Sequence, residues 1–177
     1  NLVVHKGKTI FVGDTSVHEY PTSEQMSEIA ISAARVVRLF GFEPKVAFVS
    51  HSTFGQPLTS RTKHIKNAVE ILKNRNVDFE FDGDMQPDVA LDPEYQNLYP
   101  FSKIVGNANI LIMPGQHSAA ISYKMMKTLG DTKVIGPLLI GLGLPIEIAP
   151  LRSSTSEIIN LASIAAYSAD VIDYKKS

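Results

Sequence analysis

"KVAFVSHSTFG", residues 45–55, decides how this chain folds. Val46 to Val49 form a short apolar run that stops in a loop rich in hydroxyls. Such a run, bounded by turn-forming residues, predicts a core strand. A helix follows the loop, with Ile65, Ala68, Val69 and Leu72 on one face. The same alternation recurs outward in both directions. "NILIMP" (109–114) is a second fully apolar strand, and "HSAAISYKMMKTLG" is a helix ended by Gly130. Upstream, "VVH" and "TIFVGD" flank the turn "KGK" and predict a hairpin. Thr22 and Gln25 fit a capping box opening a helix whose stripe is Met26, Ile29, Ala30, Ala33, Val37 and Phe40. Gly41 ends it. "VDFEFDG" alternates as a strand, and "MQPDVALDPEYQNLYPFS" is irregular with short helical potential. "KVIGPLLIG" and "PIEIAP" predict two further strands. The last helix carries Ile158, Leu161, Ala162, Ala165, Ala169 and Ile172 at helical spacing.

Strands separated by single helices imply crossover connections and a mostly parallel mixed sheet. The expected class is therefore α/β, a three-layer αβα arrangement. Ligands in such folds bind at the carboxyl ends of strands. Those ends are expected in the loops 51–61, 82–88, 114–118, 141–145 and 150–154.

Composition narrows the function. The net charge is −1, so no global field draws nucleic acid or anionic lipid. No apolar run approaches the roughly 20 residues of a membrane span. The absence of cysteine excludes disulfides and thiolate chemistry, and points to a cytoplasmic protein. The chain opens on Asn1 with residues that already belong to structure, so a piece of a longer protein is expected.

Several motifs fail on inspection. "DGDMQPD" places Asp82, Asp84 and Asp88 in alternation, but a calcium loop needs glycine and glutamate where Pro87 and Pro93 stand. "GLGLP" (141–145) lacks the helix that a dinucleotide fingerprint opens. The histidines at 5, 18, 51, 64 and 117 have no metal-ligand spacing, so no metal site is expected.

Other segments carry chemistry against a plainer alternative. Ser52 and Thr53, with backbone amides, are candidates to hold a phosphate or carbonyl oxygen; an ordinary polar loop explains them too. His51 and His117 both follow strands and are candidates to line one cleft. Arg61, Lys63, Lys66, Lys73 and Arg75 make a solvated helix face or a track for phosphates of a ligand such as coenzyme A; only Arg61 and Lys63 lie near a strand-end loop. "IAPLRSSTSEII" (148–159) raises the sharpest choice. A buried strand, Ile146 to Ala149, is expected to stop at Pro150, with Arg152 and three hydroxyl residues leading into a helix. Ser154 and Glu157 fit a capping box. The same helix start beside Arg152 also fits an anion site.

Taken in order, "PTSEQMSEIAISAA", "VAFVSHSTFG", "DFEFDGDMQPDVALDP", "ANILIMPGQHSAAISYKMMKTLG", "VIGPLLIGLGLPIEI" and "STSEIINLASIAA" resemble the phosphate acetyl/butyryl transferase family over about residues 10–166. "GQHSAAIS" and "IEIAPLRSSTSEI" bring the resemblance nearest to the C-terminal phosphotransacetylase-like domain of large bacterial NADP-dependent malic enzymes. This resemblance implies an isocitrate/isopropylmalate dehydrogenase-like fold of two subdomains with a cleft between them. Residues 1–145 would be the second subdomain, and 146–177 the terminal strand and helix that return to the first. The implied parent oxidises malate to pyruvate and carbon dioxide with NADP and Mg or Mn, none of it using these residues. The implied partners are an N-terminal malic enzyme domain, the first subdomain, further copies of the chain in a dimer or higher oligomer, and acetyl-CoA as effector. Neither nucleic acid nor membrane is among them.

Family members carry a Ser-Arg pair before the last helix and an acid at its first turn. Here those positions hold Pro150, Leu151 and Glu157, and Arg152 sits one residue late. Proline and leucine donate no side-chain hydrogen bond. The resemblance therefore implies a domain that binds acetyl-CoA to regulate, and that oligomerises, without catalytic residues of its own. Ser52, Thr53, Arg61, Lys63, His117, Arg152 and Ser154 are the ligand-binding candidates. The alternatives are an active acyltransferase using Arg152 and Glu157 as a shifted pair, and a purely structural dimerisation domain.

Overall fold

The computed structural model describes residues 1–14 and 16–174, with side chains through Asp170. Six strands form one sheet in the order β4-β3-β5-β2-β1-β6. They are β1 (Leu2–His5), β2 (Lys8–Gly13), β3 (Lys45–Val49), β4 (Glu80–Met85), β5 (Ile110–Ile112) and β6 (Thr132–Ile135). The pairs β3–β4, β3–β5 and β2–β5 are parallel. β1 runs antiparallel to both β2 and β6, so the other five strands share one direction.

Period-2 alternation explains the layers. In β3, Val46 and Phe48 enter one apolar cluster while Ala47 and Val49 enter another on the opposite face. In β5, Ile110 and Ile112 face the first cluster and Leu111 the second. The first cluster is closed by α1 (Ser23–Leu39) and α2 (Ser60–Asn74), through Met26, Ala30, Val37, Ile65 and Leu72. The second is closed by α3 (Pro87–Leu91) and α5 (Gln116–Leu129), through Val89, Ala90 and Ala119. The expected three-layer α/β architecture follows directly.

Local signals hold where the chemistry is local. Lys6 (φ 47) and Gly7 (φ 77) make the two-residue turn between β1 and β2, the left-handed pair that matches strand twist. The capping box of Thr22 and Gln25 is present, and Gly41 follows α1 at φ 81. The irregular stretch contains α3 and the four-residue α4 (Pro93–Gln96).

Two strand expectations fail. β6 stops at Ile135, before Gly136 and Pro137. The segment 146–149 is not a buried strand: only Glu147 bridges, to Leu138, and Ile146 and Ile148 are exposed. Proline at 137, 145 and 150 removes the donors a ladder needs. The last helix, α6 (Thr155–Tyr174), is real, but only Leu161 of its stripe is fully buried. Ile158 and Ala162 are exposed, Ala165 and Ala169 half-buried, and the side chain of Ile172 lies outside the described residues. Among the described residues no helix is long and apolar enough to cross a membrane.

Phe48 is fully buried at the centre of the first cluster. Phe48→Ala is expected to destabilise the fold by about 3–5 kcal/mol, measured as a lowered urea midpoint with an unchanged slope.

Candidate functional site at the carboxyl ends of the strands

The five codirectional strands bring their carboxyl ends to one edge of the sheet. After β3, the chain turns into a loop fixed by Asp84. The register of β3 on β4 jumps from Phe48↔Gly83 to Val49↔Met85, which leaves Asp84 as a bulged residue. Its buried carboxylate accepts from the Ser52 hydroxyl and, at 3.0 Å, from the Gly55 amide. Ser50 and Ser52 hydroxyls lie 3.1 Å apart, and Thr53 Oγ1 accepts from the Gln86 amide at 3.3 Å. Ser52 and Thr53 are both buried. Their hydroxyls hold the loop together.

The loop after β5 leads into α5. The Gln116 amide donates to the Glu19 carbonyl at 3.1 Å, and this close approach requires Gly115. A Cβ at 115 would sit 2.7 Å from that carbonyl oxygen. His117 is exposed, its ring stacked near Tyr20 and its Nε2 3.7 Å from the Glu19 carboxylate. His51 is also exposed, on the loop after β3. His64 is used structurally: Nε2 donates to the Pro21 carbonyl at 2.9 Å, and Nδ1 meets Ser23 Oγ at 3.0 Å.

The loop after β2 escaped the sequence reading. Asp14 adopts φ 43 and folds its carboxylate back onto the next turn. It accepts from the Val17 amide at 3.1 Å, the His18 amide at 3.2 Å, and His18 Nδ1–H at 2.5 Å. The Asp-x-x-x-His spacing was its only trace in the sequence, and that pattern is common.

The 148–159 segment forms the expected helix cap. Pro150 accepts from the Ser153 amide at 2.9 Å, making a turn that leaves Leu151 wholly exposed. The capping box is complete: the Glu157 amide donates to Ser154 Oγ at 3.3 Å, and Glu157 Oε2 accepts from the Ser154 amide at 2.7 Å. The other Glu157 oxygen accepts from Lys127 Nζ at 2.8 Å. Lys127 first, then Ser154, holds the Glu157 carboxyl down to about 2, against an ordinary 4.5. A carboxylate so stabilised is a poor proton acceptor. Beside it lies a cavity of about 230 Å³ between α5, β6 and the start of α6, lined by Lys124, Lys127, Arg152 and Ser153. Arg152 forms no ion pair among the described residues, and Lys124 reaches toward the Tyr123 ring.

Arg61 and Lys63 do not join this cluster. They are exposed on the first turn of α2, which packs toward β4, whereas Arg152 borders β6. Those strands are the two edges of the sheet, about 24 Å apart at the usual strand spacing. The described residues contain no group of three or more His, Asp or Glu placed to hold a metal ion.

The mixed sheet with its strand-end loops at one edge, and a cation-lined cavity before the last helix, belong to an α/β fold of the phosphotransacetylase type. Residues 1–166 match the phosphate acetyl/butaryl transferase family, and the chain belongs to it. Among relatives, an NADP-dependent malic enzyme of Rhizobium meliloti is 46% identical over 96% of this chain but 22% of its own length. A phosphate acetyltransferase of Clostridium acetobutylicum is 36% identical over 90% of this chain and 49% of its own. The phosphotransacetylase structure from Streptococcus pyogenes superposes with a TM-score of 0.89 at 32% identity, over 95% of this chain and 52% of that one. The chain thus spans about a fifth of the malic enzymes and about half of the transacetylases it matches.

Because the folded Glu157 carboxyl titrates below its unfolded value, its contribution to stability is present above pH 4.5 and is lost as pH falls toward 2. Lys127→Met removes the larger cause. Carbon-detected NMR titration is expected to show the Glu157 midpoint moving from about 2 back toward 4.5 in that variant.

Proposed function

We propose that this chain is the C-terminal regulatory and oligomerising domain of a cytoplasmic NADP-dependent malic enzyme, that it senses acetyl-CoA, and that it does not transfer acyl groups. The observation that carries the reading is the state of the segment before α6. The catalytic pair's positions hold Pro150 and Leu151, which offer no donor to a phosphoryl oxygen. Glu157, at the acid's position, is committed to a cap and to Lys127. The cations remain. Lys124 and Arg152 beside the cavity suit the phosphates of a coenzyme A ester, with Ser154 ordering the helix start and His117 on the neighbouring helix.

The oligomerising part rests on exposed apolar surface. Ile121, Met125 and Leu129 of α5 and Ile158 and Ile159 of α6 are all solvent-facing. Patches of this kind mark contact surfaces, and the first subdomain and a second copy are the proposed occupants. NADP, Mg or Mn, and malate chemistry belong to an N-terminal malic enzyme domain outside these residues.

Isothermal titration of acetyl-CoA into a protein containing both subdomains is expected to give saturable binding, weakened roughly tenfold, about 1.4 kcal/mol, by Arg152→Ala. Acetyl-CoA is expected to change the rate of malate oxidation in the full-length enzyme. No binding at millimolar ligand would remove the sensing role.

The identity to a phosphate acetyltransferase favours a second reading, an active transferase with Arg152 and Glu157 displaced by one position. A coupled assay of acetyl-CoA formation from acetyl phosphate separates the two. The first reading expects no turnover; turnover that disappears in Arg152→Ala supports the second.

A further inference from the structure

A larger cavity, of about 510 Å³, lies between α1, the end of β2 and the 137–148 segment. That volume falls within the range of small-molecule sites, roughly 300–1,000 Å³. Phe11, Ile29, Val36, Leu138, Ile140 and Ile148 supply apolar wall. The cavity opens beside the carboxyl end of β2, where such folds place ligands.

Its polar groups are mostly committed. Asp14 is spent on the Val17 amide, the His18 amide and His18 Nδ1. Glu28 is paired with Arg75, and the Gln25 side-chain oxygen accepts from the Thr22 amide at 2.8 Å. His18 is different. Its Nδ1 must carry a proton to donate to the Asp14 carboxylate, so Nε2 of the neutral ring is an acceptor. Nε2 has no hydrogen-bond partner among the described residues, and His18 lines the cavity.

We infer that this cavity binds a small amphipathic weak acid, a medium-chain aliphatic carboxylic acid, with its acidic group on His18 Nε2 and its hydrocarbon against α1 and the 137–148 segment. The acidic O–H satisfies Nε2. When the proton passes from the acid to Nε2, the products are a carboxylate and an imidazolium, and the imidazolium is already flanked by Asp14. An amine of the same length must instead bury a cation where both carboxylates, Asp14 and Glu28, are already paired. A neutral alcohol donates to Nε2 without the gain of a charged pair. This site is separate from the Lys124–Arg152 cavity, which shares only Pro137 with it.

Octanoate is the probe, titrated calorimetrically into the full-length protein. The expected result is saturable binding at a Kd of about 1 mM or tighter. His18→Gln is expected to weaken it roughly tenfold, and Leu139→Trp, which fills the cavity from its loop wall, to remove it. Octylamine and octan-1-ol are expected to bind more weakly than octanoate. Unchanged thermal melting by circular dichroism shows that both variants are folded. Absence of saturation at roughly tenfold higher concentration overturns the inference, as does binding that neither variant alters. Loss in Leu139→Trp with full retention in His18→Gln overturns the recognition of the acid.

Discussion

A strand that is apolar on both faces cannot lie at a surface, and β3 and β5 are such strands. Val46, Phe48, Ile110 and Ile112 demand cover on one side, and Ala47, Val49 and Leu111 on the other. Helices meet both demands, which is why the sheet sits between layers and why its strands are joined by crossovers. Crossovers make neighbouring strands parallel, and parallel strands deliver their carboxyl ends to one edge. The grouping of Asp14, Ser52, Asp84, Gly115 and Pro137 along that edge is a consequence of burying these few residues.

Features governed by neighbours in sequence were legible. The Thr22–Gln25 and Ser154–Glu157 boxes, the Lys6–Gly7 turn and the apolar stripes of α1 and α2 each need only residues a turn apart. Features governed by distant partners were not. Ile146–Ala149 has a strand-like pattern, but a strand exists only if another backbone lies beside it, and three prolines limit it to one bridge. The inward aim of Ser52 depends on Asp84, 32 residues away and exposed to it by a bulge. The Asp14–His18 pair depends on a left-handed aspartate that no propensity rule demands.

In the segment before α6 one carboxylate serves two structural roles. Glu157 satisfies helix-start amides through Ser154 and neutralises a lysine of α5. Both roles stabilise the anion, and an anion so stabilised has little tendency to take a proton from a thiol. Lys124 and Arg152 stand beside the same cavity without a carboxylate partner among the described residues. Function is therefore read from the site and not from the family's architecture.

The odd direction of β1 turns its amino end toward the rim where the other five strands end. Because β1 opposes its neighbours, Leu2 lies beside Phe11 near the end of β2 and beside Ile135 at the end of β6. A single reversed strand thus sets the first residues of the chain on the rim that also borders both cavities, beside the ends of β2 and β6.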